Sequence, residues 1–169
     1  MPVKIAQILF ALICLALSGP LQARGNSNPS LSGTWSLDLS QMPVPPDARP
    51  RSVTLTFAGI DKERWRMTVV IIGNDNSKRV MASEYRLDGV AVPIKGDQLE
   101  ADMAAVRMPT PGIMVLGLAN SGRPASTRVY VVAPDGASMT EHAVTYGDTG
   151  VPTIRINRFV RASVPMGKG

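Results

Sequence analysis

The chain has 169 residues, with 18 Lys and Arg against 13 Asp and Glu, one His and one Cys. One histidine excludes a His-rich metal centre, and one cysteine excludes an internal disulfide or a thiolate cluster. The net charge of +5 is scattered rather than gathered into a tract. That balance suits contact with anionic surfaces, while few aromatics and no binding motif argue against nucleic acid.

The first 23 residues read as a cleaved signal peptide. Lys4 supplies a positive start, Ile5 to Leu17 form the apolar stretch, and Ser18-Gly19-Pro20 breaks a helix before Ala23. The apolar run is short for a membrane anchor, which needs about 20 residues, and Gln7 interrupts it. Lipidation of Cys14 is set aside, because Ile13 stands where a lipoprotein signal wants a small residue. Cleavage removes Cys14, the only cysteine, and leaves 146 residues, enough for one domain with a core. An exported domain without disulfides fits a bacterial periplasm or secretion from a bacterium. After cleavage no integral membrane segment is expected. Residues 24–30 read as a disordered leader, 31–162 as the folded domain and 163–169 as a flexible tail.

The domain reads as short strands separated by turns. Trp35, Leu37 and Leu39 alternate with Ser36 and Asp38. Prolines 43, 45, 46 and 50 then bend the chain. Val53, Leu55 and Phe57 follow, then Trp65, Met67, Val69 and Ile71, each set alternating with polar residues. Gly73 to Ser77 turns into a strand over 79–87, with Met81, Tyr85 and Leu87 on one face. Asp88-Gly89 is a hairpin signal. A strand at 90–94 leads to a turn at Lys95-Gly96-Asp97. Leu99, Ala101, Met103 and Ala105 are expected on one face. Strands at 113–118, 126–133, 138–146 and 153–161 complete the series.

Such a run of hairpins predicts an all-β domain, a single antiparallel up-and-down β-barrel of about eight to ten strands. Closure of that kind removes exposed edges. A two-sheet β-sandwich is the competing architecture.

In the last strand, Ile154, Ile156, Arg158 and Val160 share the more apolar face. With Gly33-Thr34-Trp35 in the first strand, this resembles the calycins, the lipocalins and fatty-acid-binding proteins. Their first strand carries Gly-x-Trp, and an arginine of their last strand packs across that tryptophan. The resemblance implies that Trp35 and Arg158 pair at the closed end of a barrel, where a guanidinium can lie on an indole face. It also implies an internal pocket for a small apolar ligand. The four prolines at 41–50 rule out the helical lid that fatty-acid-binding proteins place after their first strand.

Candidate chemistry is sparse. His142 as the base of a hydrolase lacks a nucleophile elbow, and the carboxylates are scattered, so no catalytic residue, metal site or cofactor is assigned. Arg128 and Tyr130, two apart on a strand, point the same way and are able to hold a carboxylate. Fatty-acid-binding proteins use an Arg-x-Tyr pair of this type, though in their final strand. The opposite phase puts Thr127, Val129 and Val131 inside, and the usual exposure of long polar side chains favours it. The function expected is non-enzymatic binding of a small hydrophobic or amphipathic ligand, with Trp65, Met67 and Tyr85 lining the pocket and Arg128 and Tyr130 as anchor. The alternative is an envelope-associated domain that binds another protein and has no pocket.

Overall fold

Alternating sequences need a partner on each edge, and the chain supplies one strand after another until the last meets the first. A computed structural model describes residues 30–147 and 149–162. The segments expected as signal peptide and tail, and all of the expected leader but Ser30, lie outside the described residues. The strands are β1 (Gly33–Leu37), β2 (Ser52–Gly59), β3 (Arg64–Ile72), β4 (Lys78–Arg86), β5 (Val92–Pro93), β6 (Lys95–Gly96), β7 (Met103–Thr110), β8 (Ile113–Asn120), β9 (Arg123–Val132), β10 (Ser138–Tyr146) and β11 (Pro152–Arg161).

All eleven belong to one antiparallel sheet, in the order β5-β7-β8-β9-β10-β11-β1-β2-β3-β4-β6. Consecutive long strands pair except β4 and β7, and β11 returns to β1 with Trp35 opposite Arg161. This is a nearly closed up-and-down barrel. The strand count exceeds the expected ten because the stretch read as one strand at 90–94 and a turn at 95–97 forms two separate pairings. Val92 and Pro93 pair with β7, and Lys95 and Gly96 pair with β4. Pro93 has no N–H to extend its ladder. Gly96 has φ +90, and a Cβ there would stand 2.2 Å from the Val80 carbonyl oxygen. The two short strands, with the Gly89 N–H donating to the Val106 carbonyl at 2.9 Å, stitch together the exposed edges of β4 and β7 that would otherwise invite pairing with another chain.

The expected inward faces of β1 to β4 are the observed ones. Two other phases differ. Leu99 is 78% exposed, because Asp97 accepts the Leu99 N–H at 3.0 Å and makes a turn there. The strand begins only at Met103, and Ala104 and Val106 face the core. In β11 the apolar side is outside: Ile154, Ile156 and Val160 are exposed, and Asn157 and Phe159 are buried. Arg158 is exposed with them.

The closed end is built on a different arginine from the one expected. Arg161, not Arg158, lies over Trp35, with its guanidinium carbon 4.1 Å from the ring centroid. Arg161 donates from Nε to the Gly136 carbonyl at 2.7 Å. Its Nη1 donates to Ser32 at 2.7 Å and its Nη2 to Ser30 at 2.6 Å, both carbonyls. The indole N–H of Trp35 donates to the Leu31 carbonyl at 2.9 Å. Gly33 explains the first half of Gly-x-Trp. Its φ is +127, and a Cβ would stand 2.5 Å from Nη1 of Arg161, which three carbonyls hold in place. The error in the sequence reading was one of phase: inward positions of β11 are polar where they serve the barrel's floor and interior. With its first-strand tryptophan covered by a last-strand arginine, the barrel is calycin-like in architecture.

Candidate functional site

Above this floor the core continues through Phe57, Val106, Met114 and Tyr130, all buried. The ring of Tyr130 meets Phe57 edge to face, 5.6 Å between centroids and 69° between planes. Beyond Tyr130 the side chains no longer fill the barrel. A cavity of about 240 Å³ opens there, walled on one side by aliphatic and thioether groups such as Val53, Met67, Val69, Met81 and Leu118. Two small side chains, Ala101 and Ala104, are among its lining residues.

The Pro-rich bend lies at this end of the barrel. It holds two single 3₁₀ turns, Leu39–Gln41 and Pro46–Ala48, and no α-helix. Arg49 ties the bend to itself, donating from Nε to the Val44 carbonyl at 2.9 Å and from Nη2 to Met42 at 3.0 Å. Met42 and Pro50 line the cavity. On the opposite rim, Arg79 grips Asp97 through both carboxylate oxygens, at 2.6 and 2.9 Å.

The other wall is polar. β9 turns Ser126, Arg128 and Tyr130 inward, β10 turns Glu141 inward, and β11 faces it with Asn157. Arg128 and Tyr130 therefore point into the barrel, against the phase favoured by exposure statistics. Arg128 donates from Nη1 to Glu141 Oε1 at 3.0 Å and from Nη2 to Glu100 Oε1. Ser126 donates to the same Glu100 oxygen at 3.0 Å, and Asn157 donates to Glu141 Oε2 at 2.5 Å. Glu141 is 1% exposed, so its charge is carried by Arg128 and Asn157 rather than water. Burial works against the Arg128 charge, but the carboxylates of Glu141 and Glu100 more than offset it, and the guanidinium holds its proton more firmly than usual. Burial, and then the negative charge of Glu141, push the Tyr130 phenol well above its ordinary range, so it stays neutral.

Two polar atoms in this wall are left over. The Tyr130 hydroxyl and Nε of Arg128 are buried with no hydrogen-bond partner among the described residues. Such orphans are costly in a dry interior, and both belong to residues that line the cavity.

The other residues named from sequence fall in different places. Met67 lines the cavity. Tyr85 does not: it is buried in the core with its hydroxyl unpartnered, and burial raises its phenol. Trp65, directly across the ladder from Tyr85, is half-buried against the core and also off the cavity. Both sit low on β3 and β4, toward the closed end, which the alternation of these strands leaves undecided. His142 lies on the outward face of β10, cross-strand from Ile156. The residues that sequence reasoning missed are Glu100, Glu141 and Asn157. Glu141 and Asn157 carried one available signal: each sits in phase with an apolar inward neighbour, Met139 and Phe159. Among the described residues no helix is long and apolar enough to cross a membrane, and no group of three or more His, Cys, Asp or Glu side chains is placed to hold a metal ion.

No family model matches the chain, and no curated protein matches it. The similar solved structures include two of the fluorescent protein UnaG. A single-substitution mutant of it is 18% identical with a TM-score of 0.48, the match covering 79% of this chain and 97% of that one. The wild type is 18% identical with a TM-score of 0.46, covering 78% and 97%. That likeness is one of outline, and the barrel described above stands on its own strand pairing.

Proposed function

We propose that this protein is an exported, non-enzymatic β-barrel that binds a small hydrophobic or amphipathic molecule. The observation that carries the reading is the unfilled end of the barrel. An apolar cavity there meets a buried polar wall in which the Tyr130 hydroxyl has no partner. Binding sites combine such apolar lining with a few placed polar groups. At about 240 Å³ the cavity is just under the usual range of roughly 300–1,000 Å³, which favours a short ligand. The signal-like residues 1–23 support action outside the cytoplasm of a bacterium. Prodan, a neutral dye that brightens in apolar surroundings, tests the proposal. Saturable enhancement that falls in Leu118→Trp, which fills the cavity, is the expected result. No enhancement, with no small molecule retained in native mass spectrometry, rejects it.

A second reading rests on the outer face of β11. Ile154, Ile156 and Val160 are exposed there, Ile154 by 66%, and a row of exposed aliphatic residues on one strand suits contact with an envelope protein. Recovery of a stable partner from envelope extract, lost in Ile154→Ser with Ile156→Ser, supports that reading.

A further inference from the structure

An inward-pointing arginine in a small barrel invites the assignment of a carboxylate ligand, such as a fatty acid. The charges around Arg128 argue against it. Arg128 is engaged by two carboxylates, Glu141 and Glu100, so the polar wall carries one negative charge in excess. Neither Ser126 nor Asn157, the other members of the network, carries a charge. The remaining charged lining groups lie at the rim. Asp97 is neutralised by Arg79, and Arg155 is exposed to solvent, where screening weakens its reach.

Resting on the ligand-binding reading above, we infer that the cavity selects an amphiphile with a cationic head and rejects the corresponding carboxylate. The head replaces no existing contact. An ammonium group donates to the free Tyr130 hydroxyl oxygen and to the carboxylates, and it cancels the excess charge of the Arg128–Glu100–Glu141 cluster. A carboxylate head adds a second negative charge beside Glu141, which is only 1% exposed. Between unit charges a few ångströms apart in a partly buried site, Coulomb energies exceed what one neutral hydrogen bond supplies. The remaining orphan, Nε of Arg128, needs only a neutral acceptor. The apolar wall takes the alkyl chain.

Displacement of prodan by octylamine, octanol and octanoate from the purified protein tests this. The three share a chain and differ in head charge. The expected order is octylamine, then octanol, then octanoate, with at least about a tenfold gap between the first and last. Glu100→Gln removes the excess charge at a residue whose side chain is 40% exposed and tolerates the change, so the gap is expected to shrink several-fold. Glu141→Gln is expected to act in the same direction, and Glu100→Gln keeps the test valid if the deeper variant fails to fold. Octanoate binding as tightly as octylamine overturns the inference, including the case in which Arg155→Ala abolishes it and so places the carboxylate at the rim. A preference for octylamine that is unchanged in Glu100→Gln also overturns it. Failure of prodan and all three ligands to bind rejects the ligand-binding reading itself.

Discussion

Each end of this barrel holds an inward-pointing arginine, and the two are satisfied in opposite ways. At the closed end Arg161 gives its donors to three backbone carbonyls and its face to Trp35. Its partners are neutral dipoles fixed by the strands, and the arrangement leaves no room: even the Cβ of a residue at Gly33 would collide with it. At the cavity end Arg128 is met by charged side chains, its Nε is unused, and an orphaned Tyr130 hydroxyl stands beside it. The first guanidinium solves a folding problem, capping carbonyls that the strand ladder does not reach. The second leaves polar capacity over, next to empty space. An arginine inside a barrel is therefore no sign of a ligand by itself; what its partners leave unsatisfied is.

The largest expected effect lies at the closed end. Arg161→Ala removes three charge-assisted hydrogen bonds and a cation–π contact, and is expected to cost about 2–4 kcal/mol in denaturant unfolding. Arg158→Ala, at an exposed outward position of the same strand, is expected to stay within about 0.5 kcal/mol. Equal effects of the two would erase the distinction drawn at this end. Glu141→Ala is next, at about 2–3 kcal/mol, because it leaves the Asn157 amide and part of Arg128 without a partner. Tyr130→Phe sharpens the contrast most. Its hydroxyl has no partner to lose, so urea unfolding is expected to show a change of less than about 1 kcal/mol, in either direction, while octylamine binds more weakly. A large loss of stability instead makes Tyr130 a structural group like Arg161.

The smallest effect concerns acid. The Arg79 guanidinium, helped by the Leu99 N–H, holds the Asp97 carboxyl at about 2, below the ordinary value of about 3.9. A carboxyl depressed by folding contributes stability above its unfolded value. That contribution is lost as the pH falls from about 4 toward 2. Arg79→Ala is expected to move acid unfolding, followed by circular dichroism, upward by a fraction of a pH unit.

Much of the fold was legible because period-2 alternation is a local property. Leu55 and Phe57, or Met67 and Val69, declare one inward face without reference to any other strand. The prediction of β10 at 138–146 matches the observed bounds, and the proline run at 41–50 holds single 3₁₀ turns rather than an α-helical lid. Alternation gives the period of a strand and leaves its phase open where both faces mix polar and apolar groups. In β11 the apolar residues Ile154, Ile156 and Val160 face outward, so reading inward as apolar chose Arg158 over Arg161. In β9 the same kind of assumption favoured burying Val129 over Arg128. Of the polar wall only Arg128 and Tyr130 were named from sequence, because Glu100, Arg128, Glu141 and Asn157 are distant in sequence and meet only through strand register.

The sequence alone determined an all-β chain, its turns and most of its strands, since these depend on nearest neighbours and on the conformational limits of glycine and proline. The resemblance to calycins added that Trp35 pairs with an arginine of the last strand, and it pointed to Arg158 where Arg161 makes the contact. Which arginine, where the barrel is left unfilled, and whether Arg128 meets an empty or an already acidic wall were decided by tertiary structure. Those outcomes depend on which side chains the closing of the barrel brings across the interior, and no local pattern records that.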